Sequence, residues 1–226
     1  MTTSDDLVVI AIDGPAGAGT STVARALAAR LGLRYLDTGA MYRGVTVAAL
    51  RRGIDVHDLD AVAALVPHVS LDVGDRIVLV DGVDATAAIR EPEINVAVSA
   101  VAANQRVRVE LVRRQREWAA ARGGGVLEGR DIGSVVFPDA ALKLYLTAPV
   151  EVRAARRHRE MPDQGAIGDV AAAIEARDAR DRGREHAPLV EADGAMVLDT
   201  GQRSVDEIVE EIVAMLDQRL AQRGRR

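Results

Sequence analysis

The sequence predicts an α/β fold built around a mainly parallel sheet. Three observations carry that expectation. Short apolar runs alternate with helical patterns along most of the chain. The first run, Leu7–Ile12, is apolar without a break, as expected for a strand covered on both faces. A glycine-rich turn from Gly14 to Gly19 joins it directly to an amphipathic stretch.

The elements follow in order. A helix is expected from about Thr20 to Leu31, with Val23, Leu27 and Leu31 on one face and Gly32 as its stop. Arg34–Leu36 reads as a short second strand, and Ala40–Arg52 as a helix stopped by Gly53. Residues 68–90 alternate apolar and polar, with turn signals at Gly74-Asp75 and Asp81-Gly82, so a small antiparallel insertion is expected there. Helices fill Glu93–Arg122 and stop at Gly123-Gly124-Gly125. Strands follow at Val126–Leu127, Ala141–Leu146 and Met196–Leu198, with an arginine-rich helical stretch at about 150–182. Ser204 and Glu207 have capping-box spacing before a last helix with the stripe Ile208, Ile212, Leu216 and Leu220.

Composition excludes several classes of function. At 226 residues, one domain with an insertion fits best. The net charge of −5 argues against a non-specific nucleic-acid binder, and 2% aromatics is too few for base stacking. Without cysteine there is no disulfide, thiolate zinc site or thiol nucleophile. The start carries Asp5 and Asp6 where a signal peptide needs positive charge, and its apolar run is too short for a membrane span. A cytoplasmic protein with no membrane and no nucleic-acid partner is expected. Lys143 is the only lysine.

The glycine turn points to phosphate. The pattern G-x-x-x-x-G-K-S/T after a buried strand makes a P-loop, whose backbone amides turn inward around phosphate oxygens at a helix N-terminus. Here the residues are Gly14, Pro15, Ala16, Gly17, Ala18, Gly19, Thr20, Ser21 and Thr22. Ser21 stands where a hydroxyl reaches Mg²⁺. Thr20 stands where the pattern has lysine. Asp13, just before the turn, is either an aid to the metal's water shell or a simple strand-end residue.

Three further strings join this one: DTGAMYR at 37–43, EGRDIGSVVFPDA at 128–140 and RDARDRGREHAPL at 177–189. With IDGPAGAG at the front, they closely resemble the bacterial cytidylate kinases, from about Val8 to Thr200 and including the insertion. The resemblance implies a P-loop kinase core with a five-stranded parallel sheet, about 7–40 and 123–226. It implies a monophosphate-binding subdomain at about 41–122 and a lid at about 153–168. It also implies transfer of a phosphoryl group from ATP to CMP or dCMP with Mg²⁺, in a monomer. A kinase for thymidylate or adenylate leaves the insertion and the GRDIG string unexplained.

By the same resemblance, Arg43, Arg130 and Arg177 hold the CMP phosphate and Arg184 faces the phosphates. Asp37 lies near the reacting groups, and Thr38 and Gly39 bring backbone close to the acceptor. Ser99, Arg108 and Asp131 read the cytosine, with Gln105 in place of an expected proline between the first two. Asp181 meets the ribose, and Arg177, Asp181 and Arg184 share one helix face by their i, i+4, i+7 spacing. A lid arginine comes from Arg153, Arg156, Arg157 or Arg159. Thr20 opens an alternative: a degenerate, non-catalytic nucleotide-binding protein.

Overall fold

The computed structural model describes residues 7–160 and 165–223, so residues 161–164 of the expected lid lie outside it. The chain runs β1 (Val8–Asp13), α1 (Thr20–Leu31), β2 (Tyr35–Asp37), α2 (Thr38–Arg51) and α3 (Leu59–Leu65). The insertion follows as β3 (Leu71–Val73), β4 (Val78–Val80) and β5 (Val83–Asp84), then α4 (Pro92–Ala103) and α5 (Gln105–Ala120). The remainder is β6 (Gly124–Gly129), β7 (Leu142–Thr147), α6 (Val150–Glu160), α7 (Ile167–Arg182), β8 (Met196–Asp199) and α8 (Val205–Arg223).

The main sheet has five strands in the order β2-β6-β1-β7-β8, and every pair is parallel. β1 is central: Ile10 pairs with Val126 on one side and Leu142 on the other. Its side chains alternate between two layers. Val9 and Ala11 pack with residues of α2, α4 and α5, whereas Ile10 and Ile12 pack with Val23 and Leu27 of α1 and Ile208 and Ile212 of α8. That double burial is why the first strand has no polar face. The side chain of Leu220 lies outside the described residues.

The antiparallel insertion is β3-β4-β5. Its second turn has Asp81 at φ 54° and Gly82 at φ 78°, the pair of left-handed residues a two-residue hairpin needs. Val78 and Val80 join the same buried layer as α2, so the insertion shares its core with the main sheet.

The structure departs from the sequence expectation in four places. α3, capped by Asp58 onto the Ala61 amide, was not anticipated. β6 begins at Gly124, not Val126: a Cβ on Gly124 would sit 2.1 Å from the Val8 carbonyl, and one on Gly125 2.8 Å from the Trp118 ring. Glycine there admits close packing and does not merely stop a helix. The stretch 150–182 is two helices. α7 ends at Arg182 with Gly183 as its cap, so Arg184 lies beyond the helix and not on its face. Among the described residues no helix is long and apolar enough to cross a membrane.

Candidate active site

The glycine loop leaves β1 at the C-terminal edge of the sheet, where ligands bind in open α/β folds. Gly17 and Gly19 have φ of 79° and 87°, which only glycine adopts freely. A Cβ on Gly14 would sit 2.3 Å from the Leu146 carbonyl, so the loop closes tightly on β7. α1 begins at Thr20 with no side-chain cap, which leaves the amides of its first turn for an anion. Thr22 is exposed, whereas Thr20 is buried.

Thr20 and Ser21 both turn toward one carboxylate at the end of β6. Thr20 Oγ1 donates to Glu128 Oε2 at 2.9 Å and Ser21 Oγ to Glu128 Oε1 at 2.7 Å. Thr38 Oγ1 donates to the Glu128 carbonyl at 2.7 Å, so the expected acceptor-side threonine clips α2 to β6. Burial raises the Glu128 carboxyl to about 7. Sequence reasoning passed over Glu128; the signal was a single acid ending an otherwise uncharged strand, GGVLEG. Asp13 is also buried and accepts the amides of Ile132 (2.8 Å) and Gly133 (2.7 Å). It therefore clamps the turn that follows Arg130 and Asp131. Burial pushes its carboxyl up to about 7 against the pull of those two amides.

Beside this lies a cluster of arginines. Asp37 caps α2 by accepting from the Ala40 amide at 2.8 Å and pairs with Arg43 at 3.0 Å. A Cβ on Gly39 would meet Asp37 Oδ1 at 3.1 Å and Arg43 Nη1 at 3.3 Å, so glycine lets that pair pack against the helix start. Arg130 Nε donates to Asp181 at 3.1 Å, and Arg184 pairs with the other oxygen of the same carboxylate. Arg177 lies among them. Burial, and then the like charge of Arg130, push it down to about 9, with Arg43 and Arg157 acting in the same direction. The Nε atoms of Arg177 and Arg43 are buried and have no hydrogen-bond partner among the described residues. Donors clustered this way suit an oxyanion with several acceptor oxygens.

Arg108 and Asp131 form a buried ion pair, with the guanidinium 5.7 Å from the centre of the Tyr42 ring. Ser99 lies on the wall of a groove of about 770 Å³ that it shares with Arg184, Leu50, Val56 and Val96. Of the four candidate lid arginines, two are tied down and one is exposed. Arg153 donates to the carbonyls of Ala148 (3.0 Å) and Ala16 (2.9 Å). Arg156 holds Thr200 Oγ1 at 3.0 Å, and Arg159 is exposed. Arg157 is half-buried and stands near Arg43 and Arg90, with burial and those charges lowering its pKa. On α7, Ile174, Asp178 and Asp181 form a buried stripe.

A glycine loop on a parallel sheet, with an arginine-lined cleft beside it, defines a phosphate-binding α/β protein of the P-loop class. The fold is shared with a gluconokinase from Sinorhizobium meliloti 1021, at a TM-score of 0.51 and 14% identity, over 94% of this chain and 93% of that one. The chain matches the cytidylate kinase family over residues 10–218, and it belongs to that family. It is 47% identical to the cytidylate kinase of Mycobacterium leprae (strain Br4923), over 94% of this chain and 96% of that protein. It is 45% identical to the bifunctional pantoate ligase/cytidylate kinase of Synechococcus sp. (strain CC9605), over 95% of this chain. There it spans only 46% of the relative's length.

Proposed function

We propose that this chain moves the γ-phosphoryl group of ATP to CMP or dCMP, giving ADP and CDP or dCDP, as a cytoplasmic monomer. The observation that carries this reading is Arg177, a buried guanidinium among arginines beside the glycine loop, with a buried Nε that lacks a partner. A nucleoside monophosphate brings the dianion such a cluster needs. In this reading residues 41–122 form the acceptor-binding part, 153–168 the lid, and 7–40 with 123–226 the core.

The chemistry asks for alignment and charge neutralisation more than for a base. The acceptor's phosphate oxygen is already ionised near neutral pH, so it attacks the γ-phosphorus as the bond to the β,γ-bridging oxygen breaks. Arg43, Arg130 and Arg177 hold the acceptor phosphate in line, and the free amides of the glycine loop hold the donor phosphates. Arg184 faces the phosphates from beyond α7, Asp181 orients the ribose, and Thr38 and Gly39 border the acceptor. Arg157 is assigned as the lid arginine on the transferred group, because Arg153 and Arg156 are committed elsewhere and Arg159 is exposed. Ser99, Arg108 and Asp131 read cytosine: Asp131 accepts from the 4-amino group and Arg108 donates to the ring acceptors.

Hard oxygen donors at the loop suit Mg²⁺. The Ser21 hydroxyl and the Glu128 carboxylate stand 2.7 Å apart there and would hold it. Bound with ATP, the ion would neutralise charge on the β- and γ-phosphates.

A second reading, a nucleotide-binding protein without transferase activity, draws support from Thr20. Its hydroxyl is committed to Glu128, and it brings no positive charge to the loop. Measuring ADP formation from ATP and CMP with Mg²⁺ separates the two. Turnover that needs CMP is expected; CMP binding without any turnover would favour the second reading.

A further inference from the structure

Asp178 connects the glycine loop to the helix that carries the acceptor ligands. Its Oδ1 accepts the Ala16 amide at 3.2 Å, and its Oδ2 accepts from Arg153 Nη1 at 2.6 Å. The same Arg153 nitrogen reaches the Ala16 carbonyl at 2.9 Å. Both peptide groups of Ala16 are thus held from one side by a buried ion pair, with Asp178 2% and Arg153 6% exposed. The contact is tight: a Cβ on Gly17 would stand 3.1 Å from the Arg153 Cβ. Burying two charges to hold a loop is expensive unless they are paired and hydrogen-bonded, and here Asp178 and Arg153 pair with each other and both bond Ala16.

α6 and α7 share a small core of their own, Ala154, Val170 and Ile174, separate from the two large layers on the sheet. The pair therefore packs as one unit. It is fastened to the rest of the protein by polar contacts: Asp178 and Arg153 at Ala16, Arg156 at Thr200, and Asp181 at Arg130. On α7, Arg177 is the residue before Asp178 and Asp181 is one turn after it. Arg177 and Asp181 thus sit within one helical turn of the residue that holds Ala16.

We propose that Asp178 is a positioning residue that couples the two nucleotide sites, so that acceptor bound at Arg177 and Asp181 orders the glycine loop through Ala16 and tightens the donor. This rests on the reading of those sites as acceptor and donor sites. Thermodynamic reciprocity then requires the donor to tighten the acceptor by the same factor.

The test is calorimetric titration with Mg²⁺ and a non-hydrolysable ATP analogue, with and without saturating CMP, on the full chain. In the wild type, CMP is expected to tighten the analogue roughly 5- to 20-fold, within the usual range of such couplings. In Asp178→Asn that factor should fall to near one, while CMP alone binds within about twofold of wild type. Arg153→Lys keeps the charge but not the fork that spans Ala148, Ala16 and Asp178, and should show the same loss; it stands in if the first variant does not fold. Glu175→Gln, on the exposed side of α7, should leave the factor unchanged. A factor that survives in both Asp178→Asn and Arg153→Lys overturns the inference, as does a wild-type factor of one, and in both cases the nucleotide-site reading stands. A wild type that binds neither nucleotide overturns the reading and the inference together.

Discussion

The Thr20 hydroxyl donates to Glu128 across 2.9 Å, inside the turn where this class of loop places an ammonium group. Glu128 is 5% exposed, and its carboxylate accepts hydroxyl hydrogen bonds from Thr20, Ser21 and Tyr35 and, among the described residues, none from a cationic side chain. A carboxyl able to serve as the counter-charge of a lysine is therefore in place although the lysine is not.

Thr20→Lys should raise kcat, by roughly ten- to a hundredfold, with a smaller change in the KM for CMP. An ammonium in this turn is stabilised by Glu128 in the resting enzyme and acts as charge develops on the transferred group, which appears in kcat. Steady-state kinetics of the two chains side by side checks it. A kcat equal to or below wild type would show that the charge is already supplied from elsewhere.

Arg157→Ala should lower kcat by about a hundredfold, the scale of losing one charged donor to the transition state. Arg159→Ala, in the exposed last turn of α6, should stay within about twofold of wild type. Arg156→Ala should act on the KM for ATP, since its partner Thr200 also donates to the Ala18 carbonyl of the glycine loop at 2.8 Å. Equal losses in kcat for the three variants would remove Arg157 from its assigned role.

UMP should be the poorer acceptor by at least about tenfold in kcat/KM, because uracil presents a carbonyl where cytosine presents its amino group. Asp131 would then face an acceptor, and an unmatched buried polar pair costs about 1–3 kcal/mol. Asp131→Asn, whose amide donates as well as accepts, should narrow the ratio. A wild type that uses the two equally well would sink the base-reading roles of Ser99, Arg108 and Asp131.

Asp13 gives a dependence of stability on pH. Its folded pKa, near 7, lies above the ordinary 3.8, so the folded chain binds the proton more tightly than the unfolded one. The stabilisation is fully present below about 4 and is lost as pH rises through about 7. Asp13→Asn does not titrate. Between pH 5 and 8 the wild type should lose stability relative to Asp13→Asn, by on the order of 1–3 kcal/mol. Urea melts of both chains across that range measure the difference; a constant difference would mean that Asp13 does not titrate there.

Much of the fold and the phosphate loop was legible in the sequence, because their signals are local. A continuous apolar run, glycines at fixed spacing and a helical stripe need no knowledge of distant residues, and β1, α1 and the Asp81-Gly82 hairpin stand where those patterns put them. That the sheet is parallel also follows once alternating strands and helices are recognised; the order β2-β6-β1-β7-β8 does not. Contacts between residues far apart in the chain leave no such trace. Ala16 and Asp178 are separated by 162 positions, and only packing turned that aspartate inward, on a helix whose alternating charges mark no single buried acid. The same holds for Glu128, which received Thr20 and Ser21 because β6 lies beside β1, and for Arg184, whose place depended on where α7 stops. Periodicity reports which face of an element is buried; which charged groups meet across the buried space is decided by the tertiary structure, since a buried charge must find its partner wherever the fold brings one within reach.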